Sequence, residues 1–377
     1  MPGVVSFGIG CFHFAVKGTL PLTFNGSEYI AELHRVLESA PNIDNLEIDY
    51  DPWFADYSVV LTEDPPRISE GTGRFPSSID LRIRFHIYLP RRVQRELVQW
   101  RRVEDGDRER FRVTILQGFQ MPVAFVETVS EGPVSSPADG VMLVREFIKQ
   151  QVEKYSSELL LFEFLGPSPF HADCYLGPHA ASDEITYDWE FNRERESASG
   201  YDTLFFHFNP DVFDDLQEAK RGLFNALLDE ASFFYDIQHT TIARERMWRE
   251  IAELLAGVVS LHRKEGLKGI FGRLFRSSRK AREVLLRAVD FESKVMFRDT
   301  GIREARANIY RGSAQRLMAD YVYRAIDDLG EYPTEQAMRL VDLLEAGRVK
   351  SVEIIVVLAS VVLGTALGAF LTWCISR

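Results

Sequence analysis

The chain has 377 residues, 46% of them hydrophobic, and a net charge of −12. That length holds two domains with packed cores, and the composition excludes a disordered chain. The acidic balance argues against a nucleic-acid partner, because phosphate backbones need a basic face.

The N-terminal stretch, MPGVVSFGIGCFHFAVKG, has no basic region and no cleavage site, so no signal peptide is expected. Cys11, Cys174 and Cys374 are too widely spaced for a disulfide framework and fit a reducing compartment. Period-two segments dominate up to residue 209. The clearest runs from Ile79 to Leu89, with apolar residues on one face and Asp80, Arg82, Arg84, His86 and Tyr88 on the other. Arg82 and Arg84 can bind an anion together from such a row, or the row can be a solvated face. Further strands are expected at 4–16, 46–50, 57–62, 111–117, 122–129, 158–165, 185–191 and 203–208. Two helices interrupt this half. One spans about Ser27 to Ser39. The other begins at Ser136-Pro137, with Asp139 at the third helical position. Asn25-Gly26 reads as a turn, and Gly8-Ile9-Gly10 lacks the third glycine of a dinucleotide loop.

After residue 210 the period is helical. Helices are expected around 213–234, 248–262, 281–297, 302–329 and 335–346, with loops at 63–78, 166–183 and 193–202. The fold class is therefore α+β. An N-terminal domain, 1–209, has a mixed or antiparallel sheet with two helices. An α-helical domain, 210–350, follows, and then a single C-terminal transmembrane helix, 353–375. Residues 354–375 carry no charge, and a bilayer core takes about 20 apolar residues. The chain thus reads as a tail-anchored, single-pass membrane protein with its N-terminal domain cytosolic. Ser360, Gly364, Gly368 and Thr372 recur every fourth residue, a spacing that lets two spans approach closely and self-associate.

Two further segments carry candidate chemistry. Residues 263–282 hold eight Lys or Arg and one acid. Lys268, Arg273, Arg276, Arg279 and Lys280 oppose an apolar face with Phe271 and Phe275. Membrane contact, an anion site and a solvated connector all fit this segment. In the run from Pro169 to His179, His171, Asp173 and His179 could share a metal ion, or Cys174 could act as a nucleophile with His179 as base. No motif spacing supports either chemistry, and no cofactor or bound metal is expected. The preferred expectation is a non-enzymatic protein whose cytosolic domain binds a ligand or protein partner and acts on the membrane through a self-associating anchor. The expected setting is a scaffold, signalling or stress/defence effector. The alternative is a membrane-anchored hydrolase using His171, Asp173, Cys174 and His179.

Overall fold

The computed structural model describes residues 4–17, 22–56, 58–61, 73–74, 80–98, 109–117, 121–129, 136–165, 172–179, 187–195, 202–263, 277–311, 316–347, 356–357, 360–361 and 363. They form an α+β fold around a mixed sheet. In chain order the elements begin with β1 (Val5–Lys17), β2 (Leu22–Asn25), α1 (Gly26–Glu38), β3 (Ile43–Tyr50), α2 (Pro52–Asp56), β4 (Ser58–Leu61) and β5 (Gly73–Arg74). Next come β6 (Leu81–Tyr88), α3 (Arg91–Leu97), β7 (Arg110–Gln117), β8 (Val123–Thr128), α4 (Pro137–Tyr155), β9 (Leu160–Leu165) and β10 (Ala172–Pro178). The chain continues with β11 (Trp189–Arg195), β12 (Asp202–Phe208), α5 (Leu216–Arg263), α6 (Ser278–Ile309), α7 (Ala319–Asp327) and a last helix, α8, at 334–347.

Among the described residues the N-terminal half thus has four helices rather than the expected two, because the short α2 and α3 have too few turns to show a period. The expected helices 213–234 and 248–262 are one continuous helix, α5. The expected helix 302–329 is divided between the end of α6 and α7. Strand β10 lies where a loop is expected at 166–183.

The chain divides into two compact units, Met1–Thr240 with Gly301–Leu329, and Thr241–Thr300 with Gly330–Arg377. The expected boundary at 209/210 falls earlier than this division. The first part of α5 buries Leu223, Phe224, Leu227 and Phe234 with the sheet residues of the first unit, so it belongs to that core.

In the first unit the strand order is β11-β12-β10-β1-β8-β7-β6-β3, with β5 and β9 also paired to β1. All described neighbours are antiparallel except β10 and β12. Alternation sends Phe12, Phe14 and Val16 of β1 into one core with α1 and α4. It sends Phe7, Ile9 and Cys11 into a second core with α5 and α7. Strand β1 is therefore buried on both sides, and its burial is unbroken from Phe7 to Val16.

Helix α4 crosses the backbone of β1 closely. A β-carbon at Gly8 would lie 2.6 Å from Val141 Cγ2 and 2.7 Å from the Pro137 carbonyl oxygen, and one at Gly10 would lie 2.6 Å from Val141 Cγ1. The Gly8-Ile9-Gly10 spacing serves this contact. Asn25, expected in a turn, caps α1 by accepting from the Ser27 amide at 3.0 Å.

Buried Glu230 of α5 accepts from the backbone amides of Leu317 and Met318, at 2.9 and 2.8 Å, just ahead of α7. Burial pushes its carboxyl above the usual value of 4.5, against the opposing pull of those amides.

The second unit has its own core. Trp248, Phe291 and Tyr332 meet with ring centroids 5.2 to 6.1 Å apart. Ile251, Val258, Val284 and Val341 are buried in the same cluster. Ser277 and Ser278 donate to Glu345 of α8 at 3.2 and 2.9 Å. Among the described residues no helix is long and apolar enough to cross a membrane. Only Val356, Val357, Ser360, Val361 and Leu363 of the expected span 353–375 are described.

Gly10→Ala should destabilise the chain by about 1–3 kcal/mol through overpacking. In a double-mutant cycle Val141→Ala should offset part of that loss, and independent effects would refute the contact. For Glu230, the folded chain keeps a proton that the unfolded chain has lost once pH passes 4.5. Its stabilising contribution is present below that pH and is lost as pH rises through the elevated value. Relative to Glu230→Gln, which cannot titrate, the native chain should therefore lose stability over this window. Denaturation curves that stay parallel across pH would exclude it.

Candidate functional site

Strand β6 places Leu81, Ile83, Phe85 and Ile87 in the core and turns Arg82, Arg84 and His86 to the opposite face. Register brings Arg82 beside Asp49 of β3 and Leu116 of β7, and His86 beside Arg112. The first turns of α5 form a second wall. Gln217, Lys220, Arg221, Phe224 and Asn225 lie three or four residues apart, on one side of the helix. Between the walls is a cleft of about 400 Å³, lined also by Asn45, Glu47 and Thr114. That volume suits a small ligand.

Five cations, Arg82, Arg84, Arg112, Lys220 and Arg221, face one lining carboxylate, Glu47. Three of the cations are held by counter-charges. Arg84 pairs with Glu47 at 2.9 Å and with Asp49 at 2.7 Å. Lys220 Nζ lies 3.0 Å from Glu127 Oε2, and Arg112 Nη1 lies 3.3 Å from the same oxygen. Lys220 and Glu127 are both buried, at 8% and 3% exposure. Burial pushes the Lys220 ammonium down, and Glu127 partly restores it. Arg112 Nε also donates to His86 Nε2 at 3.1 Å, while Asn45 Nδ2 lies 3.2 Å from His86 Nδ1. Arg82 and Arg221 have no ion pair or side-chain hydrogen bond among the described residues. The site thus has a braced layer and two uncommitted guanidiniums.

Arg82 and Arg84 are the pair visible in the sequence. Lys220 and Arg221 sit far along the chain and were not anticipated. Their signal was the polar set Gln217, Lys220, Arg221 and Asn225 opposite the apolar Ala219, Leu223 and Leu227.

The residues expected in the 169–179 run have other surroundings. Asp173 Oδ1 accepts from Ser136 Oγ at 2.6 Å and from the Ala138 amide at 2.9 Å, so it caps α4 in place of the Ser136 hydroxyl. Cys174 points to the other side of β10, into the core with α5, where burial pushes its thiol well up. His179 Nε2 lies 2.7 Å from Glu190 Oε2. His171 lies outside the described residues. Among the described residues no group of three or more His, Cys, Asp or Glu could hold a metal ion. Asp173 and Cys174 thus lie on opposite faces of a strand, where a loop was expected at 166–183.

Of the basic segment, Arg279 and Lys280 are exposed at the start of α6. Lys268, Phe271, Arg273, Phe275 and Arg276 lie outside the described residues, as do Gly364, Gly368 and Thr372. Ser360 is helical, its hydroxyl donating to the Val356 carbonyl at 2.7 Å. No family model, curated protein or solved structure matches the chain.

Lys220→Ala should cost about 1–3 kcal/mol, since it leaves buried Glu127 with the half-exposed Arg112 as its one remaining counter-charge among the described residues. Arg82→Ala and Arg221→Ala should each change stability by no more than about 0.5 kcal/mol, because neither removes a pairing. Urea denaturation of the three variants checks this division, and equal losses would refute it.

Proposed function

We propose that the chain is a membrane protein anchored through the segment 354–375, whose cytosolic domain binds an anionic ligand in the basic cleft and signals to, or acts on, the membrane. The observation that carries the ligand-binding part is the pair of uncommitted guanidiniums, Arg82 and Arg221, in a cleft whose other cations are already braced. Arg82 is half-buried and Arg221 exposed, so a ligand can reach both, and a bound anion offsets their local surplus of positive charge.

Support for the anchor comes from the uncharged run 354–375. Its described members Val356, Val357, Val361 and Leu363 are helical and 57% to 62% exposed, an apolar surface suited to lipid. The small residues Ser360, Gly364, Gly368 and Thr372 suit a homo-oligomer of spans. Exposed Arg279 and Lys280 are available to an anionic bilayer surface. The role is that of a scaffold, signalling or stress/defence effector.

Full-length protein should stay with membranes during alkaline carbonate extraction, and deletion of residues 352–377 should release it. Extraction of the full chain would exclude the anchor. In membranes, the double substitution Gly364→Ile with Gly368→Ile should reduce cross-linked oligomers, because bulky branched side chains hold the backbones apart. Unchanged cross-linking would exclude association through this face. For the cleft, full-length protein in detergent should bind citrate or phosphate by calorimetry, more weakly as salt rises. No heat with either probe would exclude the ligand reading.

A further inference from the structure

We propose that the ligand of the basic cleft is a phosphate monoester, its phosphoryl group held by the guanidiniums of Arg82 and Arg221. The inference rests on reading the cleft as a ligand site and names the class of ligand.

The first argument is charge. Three carboxylates, Glu47, Asp49 and Glu127, are committed to Arg84, Arg112 and Lys220. The two arginines left over carry two uncompensated positive charges. A phosphate monoester carries about −1.5 to −2 at pH 7 and matches that surplus, whereas a monocarboxylate leaves half of it.

The second argument is shape. Both free cations are arginines, whose planar fork gives two parallel N–H donors to phosphate oxygens, a geometry lysine does not offer. The third is the remainder of the cleft. Thr114, Gln217 and Asn225 contribute side chains with no hydrogen bond among the described residues, and Leu116 and Phe224 contribute apolar surface. A bare inorganic ion would leave these unused. An organic body joined to the phosphate would meet both kinds of surface within the 400 Å³.

The phosphate monoester can come from a soluble metabolite or from a lipid headgroup. Calorimetry on the full-length protein in detergent, at low salt and pH 7, separates the cases. The probes are adenosine 5′-monophosphate, adenosine, citrate and dihexanoyl phosphatidic acid. The expected result is binding of at least one monoester, at least about tenfold tighter than citrate, with adenosine silent. Tighter binding of the nucleotide points to a soluble source, and tighter binding of phosphatidic acid to a headgroup.

Arg82→Ala and Arg221→Ala should each weaken the monoester by about tenfold or more while the melting temperature stays unchanged. Arg82→Lys should not restore it, since the fork is lost. Citrate binding as well as or better than both monoesters would overturn the phosphate assignment and leave the anion site standing. Adenosine binding as tightly as its monophosphate would also overturn it. Silence of every charged probe would remove the anion site itself. Monoester binding unaffected by both arginine substitutions would place the ligand elsewhere and refute the proposal.

Discussion

Helix α5 lies across a sheet face that changes character along its width, and the buried pair Lys220–Glu127 marks the change. Over β1 and β8 the helix buries Leu223, Phe224 and Leu227 against Phe7, Phe125 and Val123. The rings of Phe125 and Phe224 stack there with centroids 4.0 Å apart. Over β7 and β6 the sheet instead presents Arg112, Thr114, Arg82 and Arg84. Two charged groups buried at such a boundary are tolerated only as a pair, since desolvating either alone costs several kcal/mol. Pairing Lys220 to Glu127 fixes the first turns of α5 beside the charged strands, and that wall makes a flat row of arginines into a cleft. Folding of the helical wall and assembly of the site are one event.

The opposite face of the sheet is organised by backbone rather than charge. Gly8 and Gly10 leave room for Val141 and Pro137, so α4 approaches β1 more closely than side chains would permit. Asp173 then reaches from β10 to cap the same helix. Ser136 still begins the helix, but it donates to Asp173 and accepts nothing from the first turn. The cap is tertiary, so α4 is secured at its N-terminus only once β10 is in place.

Most of the strands were legible because alternation between core and solvent is a strong pattern; β6 is the clearest case. Strand β10 was not legible. Its sequence, Ala172 to Pro178, contains a glycine, a proline and three reactive residue types, and it reads as a loop. It is a strand because β1 and β12 supply partners on both sides, a non-local cause. The unity of α5 was hidden for a related reason. Its apolar face serves one core up to Ile237 and another from Met247, so the stripe shifts around the helix and the period breaks in the sequence while the backbone continues. The site was half legible. Arg82 and Arg84 share a strand face, but the α5 wall joins them only through long-range packing, and spacing along the chain does not encode such contacts.

The net charge of −12 and the basic cleft are compatible because they act at different ranges. At physiological salt, charges separated by more than about 8 Å are largely screened, so the acidic surface as a whole is weakly felt inside the cleft. What a ligand meets is the local set, in which three carboxylates are already neutralised by arginine or lysine. Those carboxylates do more than lower the surplus. Glu47 and Asp49 hold the Arg84 guanidinium, and Glu127 holds Lys220 and orients Arg112, which fixes the positions of the cations before any anion arrives. A preorganised site spares the ligand the entropy of ordering long side chains, about 0.5–1.5 kcal/mol for each one immobilised. The same bracing explains why only two of the five cations are left to recognise a ligand: the other three are components of the wall. An anion bound between the walls would also act on the fold. Binding to the native state alone adds about 2.7 kcal/mol of stability at a hundredfold excess over Kd, and it would add it where α5 meets the charged strands.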